Sequence, residues 1–395
     1  MNLSLNNTQN AFAYKSNTDL RKAKWLFSVI QNPWIVSLGT RLTPMLMKSG
    51  LPINGLIRNT IFNQFVGGET LEESARVTKM LGAYGVQVIL DYGVEAKEGD
   101  ASFDAVTEQF IEAIEFAATQ DNIPFVSVKL TGLSSMHLLE RLNEAPRLRS
   151  GVHDSESDDA AWNRLRERMY AICDVAEENG VGILIDAEET WIQDPIDRLA
   201  IELMGVYNKE KVVVYNTYQL YRSDRLRFLK LSHKIAQEGN FILGAKLVRG
   251  AYMEKERARA EKMSYPSPIQ MDKSATDADF DEAVLYCLDH VDQIALILAS
   301  HNEASNLKCA QLMQAKNLPN HHPHIHFSQL YGMSDHISFN MAAEGYKVSK
   351  YLPYGPLQDV VPYLMRRAQE NSSVNGQTNR ELLLIRQEIA RRKAK

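Results

Sequence analysis

Four polar residues in the stretch YLPYGPLQDVVPYLMRRAQENSS, namely Tyr363, Arg366, Arg367 and Glu370, recur at i, i+3, i+4 and i+7, which places them on one face of a helix. Two neighbouring guanidinium groups are suited to holding a carboxylate or phosphate, because each presents a rigid fork of donors. Val360, Val361, Leu364, Met365 and Ala368 fall on the opposite face, and Pro356 behind Gly355 suits a first helical turn. The plain alternative is an amphipathic surface helix with its solvated side out. A second set of chemically capable side chains follows short apolar runs: Lys129, Asp186, Asn216 with Gln219, Lys246 with Arg249, and Ser300 with His301 and Asn302. Singly, each reads as a satisfied core polar group. Together they mark strand ends where charge is costly to bury without a charged partner or an anionic ligand.

The elements that must position these residues are eight short β-branched or apolar runs: Val86–Asp91, Phe125–Leu130, Val181–Ala187, Val212–Asn216, Phe241–Val248, Ile294–Ser300, His324–Ser328 and Lys347–Leu352. Amphipathic stretches long enough for helices separate them. Strand–helix alternation repeated eight times predicts an α/β fold, a (β/α)8 TIM-like barrel whose chemistry sits at the C-terminal strand ends. Residues 1–80 are expected to form an N-terminal helical arm, with a helix capped near Thr70. Residues 81–378 would form the barrel, closed over its active site by the arginine-bearing helix, and 379–395 a basic amphipathic C-terminal helix. The long intervals Thr131–Asp158 and Tyr252–Asp277 fall where a barrel keeps its catalytic loops.

The 395 residues, 45% hydrophobic and 24% charged, suit a folded globular chain, and a net charge of −5 argues against nucleic acid as a partner. Three cysteines, Cys173, Cys287 and Cys309, without C-x-x-C spacing argue against a disulfide framework and for a reducing cytoplasm. No apolar run approaches the roughly 20 residues of a membrane span, and the first residues lack the pattern of a leader. The tail RELLLIRQEIARRKAK could lie peripherally on the inner face of a membrane or pack its leucines on the body. There is no G-x-G-x-x-G, P-loop, H-E-x-x-H or G-x-S-x-G pattern. His322, His324 and His326 alternate as metal ligands would, but the nearby Ser328 and Gln329 add no carboxylate, so no metal is expected. The rivals are a metal-dependent hydrolase using His324, His326, His301 and Asp186, and a barrel kept as a non-catalytic binding scaffold.

The motifs LIDAEET, NTYQLY, GAKLVRGAYM, SHN, FSQLYGM and YLPYGP with PYLMRRAQENSS resemble the proline dehydrogenases, in the monofunctional form found in eukaryotes and some bacteria. The likeness runs from about Phe65 to Val374. It implies a distorted barrel that binds FAD noncovalently and oxidises L-proline to Δ1-pyrroline-5-carboxylate by hydride transfer to flavin N5. Electrons would pass to a quinone. This would be the first step of proline catabolism, with a separate pyrroline-5-carboxylate dehydrogenase downstream.

By that resemblance Lys129, Arg366 and Arg367 hold the substrate carboxylate, and Leu330, Tyr351 and Tyr363 wall its ring. Asp186 and Lys246 belong to the catalytic centre. Ala187, Gln219, the Val248, Arg249, Gly250 and Ala251 backbone, Ser300, His301 and Glu370 serve the cofactor. Lys246 stands where the bifunctional bacterial enzymes carry arginine, so the cation is kept but the planar fork is not. Tyr351 resembles the proline-oxidising members, since hydroxyproline-oxidising relatives tend to have a smaller residue there.

Overall fold

The structure, a computed structural model, describes residues 3–32, 34–40, 54–93, 98–144, 156–373 and 375–394. Residues 1–2, 33, 41–53, 94–97, 145–155, 374 and 395, on which parts of the expected arm, the first long loop, the end of the motif stretch and the tail fall, lie outside the described residues. Eight parallel strands close in sequential order: β1 Gln87–Tyr92, β2 Phe125–Val128, β3 Gly182–Ile185, β4 Val214–Gln219, β5 Leu243–Val248, β6 Ile294–Ala299, β7 Ile325–Leu330 and β8 Val348–Tyr354. Each lies within a few residues of its predicted run. Interior strand positions are buried throughout because a barrel covers both faces of its sheet, hence runs such as ILID and IALILA. The two long intervals are not bare loops. Met136–Glu144 and Met253–Met263 are helices inserted ahead of the expected crossover helices Glu156–Asn179 and Lys273–Asp289.

Local chemistry starts these helices. Ser16 forms a capping box with Asp19 at helix Asn17–Ile30, Thr70 accepts from the Glu73 N–H at 3.3 Å, and Asp272 accepts from the Ala275 N–H at 2.8 Å.

The chain divides into two compact units: Met1–Gly93 with His301–Glu303 and Ser328–Lys395, and Val94–Ser300 with Ala304–Phe327. In the first, β1 pairs with β8 from Gln87↔Ser349 to Tyr92↔Tyr354, and Gly68 bridges Tyr354. Its apolar core joins Leu20, Phe27 and Ile30 of the N-terminal helix with Phe62, Phe65, Val360, Leu364, Leu382 and Ile385. Each such side chain stabilises the unit by about 1.5–3 kcal/mol when fully buried. The C-terminal helix, Asn375–Lys393, therefore buries Leu382, Leu384 and Ile385 on protein and leaves Leu383 exposed. Two of its basic residues are engaged as well: Arg391 and Arg392 pair with the buried Glu388 at 2.8 and 2.6 Å, and Arg392 also donates to the Phe12 and Lys15 carbonyls. No helix among the described residues is long and apolar enough to cross a membrane.

Gly332 turns the chain after β7 at φ +78°, and a Cβ there would lie 1.9 Å from the Gln64 carbonyl oxygen. Gly332→Ala is expected to lose about 2 kcal/mol or more of stability, read as a lower thermal midpoint.

In the second unit, β2 to β6 pair in parallel, with Asn216↔Ala245 and Thr217↔Lys246 fixing β4 against β5. This register sets Lys246 of β5 beside Thr217 of β4.

Candidate active site

Lys129 directly follows β2 and Asp186 directly follows β3, whose pairing continues through the Asp186 N–H donating to Val128 O at 2.9 Å. Lys246 lies within β5. Its Nζ donates to Asp186 Oδ1, and Lys129 Nζ stands 3.4 Å from Asp186 Oδ2. One carboxylate is thus held between two ammonium groups whose side chains are only 12% and 6% exposed. Two cations and one anion leave the trio with a single positive charge in a poorly hydrated place, which favours an anionic ligand.

Glu188, two residues beyond Asp186, was given no role by the sequence, where it reads as one of several acids in AEET. It is buried, accepting from Thr131 N at 3.2 Å and sharing a 2.5 Å hydrogen bond with Thr131 Oγ1. It thereby holds the turn Leu130–Gly132 that follows Lys129. Burial raises its carboxyl to about 7, against the opposing pull of Thr131 and Lys129. A folded-state value above the unfolded one means that stability is lost as pH climbs from the unfolded carboxylate range through about 7. Glu188→Gln keeps one of the two acceptor oxygens, lets its amide donate to the Thr131 hydroxyl in place of the other, and removes the titration. The variant is expected to lose less stability than the parent between mildly acidic and mildly basic pH, a difference that melting curves across that range would show.

Gln219, at the end of β4, donates from Nε2 to the Glu188 carbonyl at 2.7 Å, beside the half-buried Ala187. Asn216 donates to Asp197 at 2.9 Å, within a buried network that includes Arg225, so it is structural. After β5 the backbone emerges: Val248 and Arg249 are half-buried, Gly250 and Ala251 exposed. Gly250 has φ +133°, and a Cβ would strike the Tyr221 ring at 2.4 Å. Arg249 turns its guanidinium away from solvent onto the Phe280 ring, 4.3 Å from its centroid. It donates to Asp277 at 2.7 Å, Ser300 Oγ at 2.7 Å and Ser305 Oγ at 3.0 Å. The Ser300 hydroxyl, expected at the cofactor, therefore also serves this arginine.

In the first unit, the helix Leu357–Ser373 carries the polar line. It is not a solvated face: Tyr363 is 8% and Arg367 7% exposed. Arg367 donates to Glu370 at 2.6 Å and lies over the Tyr363 ring at 5.1 Å, while Arg366 is half-buried. Among the described residues the buried Tyr363 hydroxyl has no hydrogen-bond partner. Desolvation holds the Glu370 carboxyl above its usual range, with Arg367 and Arg366 opposing. Leu330 packs against the same apolar core, and Tyr351 is buried in β8. His301 sets Nδ1 3.0 Å from Ser334 Oγ. Burial, with Lys350 and Arg367 adding to it, lowers its value to about 3, so its ring is neutral at physiological pH.

The histidine run is occupied otherwise. His324 Nδ1 meets Val291 O at 2.7 Å and His326 packs edge-on against Phe125. No group of three or more His, Cys, Asp or Glu that could hold a metal ion occurs among the described residues.

A closed parallel barrel with a buried cation–carboxylate trio, two members just past β2 and β3 and one within β5, defines a (β/α)8-barrel enzyme suited to a small anionic substrate. Residues 74–380 match the proline dehydrogenase family, and the chain belongs to that family. It is 35% identical over 338 residues to the carbapenem antibiotics biosynthesis protein CarD of Pectobacterium carotovorum subsp. carotovorum, covering 86% of each chain. It is 32% identical over 426 residues to the mitochondrial proline dehydrogenase 1 of Dictyostelium discoideum, covering 98% of this chain and 74% of that one. In fold it is similar to proline utilization A from Bdellovibrio bacteriovorus inactivated by N-propargylglycine, with a TM-score of 0.71 at 24% identity over 80% of this chain. It spans 33% of the length of that chain. The family assignment lends no support to a metal-dependent hydrolase.

Proposed function

We propose that this protein oxidises L-proline to Δ1-pyrroline-5-carboxylate with bound FAD and passes the electrons to a quinone. The observation that carries the reading is Asp186 held between Lys129 and Lys246 in a chain of the proline dehydrogenase family. FAD, when bound, supplies the acceptor for the hydride leaving the carbon beside the proline nitrogen. The residues present fit a flavin. Lys246 offers a buried cation for charge that grows on reduction, Gly250 and Ala251 offer open backbone, and the Gln219 amide and the neutral His301 ring offer uncharged polar contacts.

In this reading Lys129, Arg366 and Arg367 bind the proline carboxylate, and Tyr351, Tyr363 and Leu330 wall the ring. Ala187, Val248, Arg249, Ser300 and Glu370 complete the cofactor site. Fixing the carboxylate holds the reacting C–H in place, and the positive surroundings favour the deprotonated amine that the reaction needs. Three buried free cysteines support a reducing compartment such as the cytoplasm, and a separate pyrroline-5-carboxylate dehydrogenase would take the product.

Anaerobic titration, followed by absorbance, tests the reading. The purified protein should be yellow and bleach with proline, and bleach less readily with hydroxyproline because Tyr351 fills the ring pocket. A colourless protein that takes up no flavin, or a yellow one indifferent to proline, overturns it.

A further inference from the structure

We infer that Glu381, on the C-terminal helix, is a positioning residue for His301 and acts through Ser334. The inference rests on the proposed role of His301 at the cofactor and extends that site to the end of the chain. Glu381 is 2% exposed, and its Oε1 accepts the backbone N–H of Ser334. The Ser334 hydroxyl in turn stands 3.0 Å from His301 Nδ1. Whichever of the two carries the proton, this contact fixes the orientation of the ring and leaves Nε2 as the nitrogen turned away from Ser334.

Ser334 is itself held in a conformation that few side chains adopt, φ +52° and ψ +40°, with no exposed surface. Such a residue persists where its surroundings over-determine it. Glu381 supplies part of that constraint, and its carboxyl, which burial holds above its usual range against the pull of His336, caps the start of helix Asp335–Ala343 through this hydrogen bond. The preceding residue, Arg380, grips the other side of the histidine segment. It donates to both Glu303 oxygens at 2.7 and 3.1 Å, and Glu303 Oε1 is also 3.0 Å from His336 Nε2. Tyr14 and Lys350 bind Asp335, next to Ser334, at 2.7 and 2.9 Å. Consecutive residues of the C-terminal helix thus clasp both the segment that carries His301 and the turn that meets its ring.

The test titrates FAD into the flavin-free protein, followed by flavin fluorescence, for the parent, Glu381→Ala, Glu381→Gln, Ser334→Ala and His301→Ala, with melting curves of each. Glu381→Ala and Ser334→Ala should each weaken FAD binding about tenfold, the size of one lost buried hydrogen bond. Neither should weaken it further in the His301→Ala background. Glu381→Gln, whose amide oxygen still accepts from Ser334, should restore binding to within about threefold of the parent. An unchanged dissociation constant with a lower melting temperature, or losses that add in full to that of His301→Ala, overturns the inference. Ser334→Ala keeps the N–H that Glu381 accepts, so it decides the matter if Glu381→Ala fails to fold. A parent protein that binds no FAD sinks the proposed function itself, a result distinct from either.

Discussion

Under the proposed carboxylate clamp, alanine at Arg366 or at Arg367 is expected to raise the KM for proline about a hundredfold, roughly 3 kcal/mol, while leaving the flavin bound. A charge-assisted contact to a carboxylate in a poorly hydrated site is lost in each case, and neighbouring cations cannot reproduce a guanidinium fork. The two positions are not equivalent. Arg366 is half-buried, whereas Arg367 is 7% exposed and joined to Glu370 at 2.6 Å. Arg367→Ala therefore leaves a desolvated carboxyl without that partner and should lower stability too, whereas Arg366→Ala should change kinetics with little effect on melting. Arg366→Lys keeps the charge and should recover only part of the loss. Steady-state kinetics over a wide proline range, with flavin content read by absorbance, checks all three. Unchanged proline kinetics in both alanine variants would remove these arginines from substrate binding.

Asp186→Ala should abolish proline-dependent flavin reduction and cost about 3–5 kcal/mol of stability, because it leaves two ammonium groups close together and nearly buried with no anion between them. Lys246→Met is milder in stability, since Lys129 still pairs with Asp186, but it should slow flavin reduction strongly by removing the cation expected at the flavin. The double variant, Asp186→Ala with Lys246→Met, should recover part of the lost stability and none of the activity. Urea unfolding and rapid-mixing reduction of the flavin separate the two effects. Asp186→Ala as stable as the parent would show that the trio is not an energetic unit.

Much of the barrel is legible in the sequence. A buried strand announces itself through a short β-branched run, and all eight were placed within a few residues of β1 to β8. The caps at Thr70 and the start near Pro356 were legible because they are chemistry between near neighbours. Lys129 was read inside the second run and stands just past it, since a strand's end depends on where its neighbour stops pairing. The inserted helices Met136–Glu144 and Met253–Met263 are not legible as helices, because their short or highly polar stretches look alike as surface helix and as coil.

For the site, residue types alone determined which side chains were worth watching: a doubled arginine on one helical face, and lysines and acids at strand ends. Tertiary structure decided which of them are buried and what each one meets. It turned the face of Tyr363 and Arg367 inward, engaged Ser300 with Arg249, and brought forward Glu188 and Glu381, two acids that the sequence left among many. The reason is range. Helical and strand periods are written in neighbours a few residues apart, whereas Asp186 meets Lys246 across 60 residues and Ser334 meets Glu381 across 47, pairings that exist only once the chain has closed.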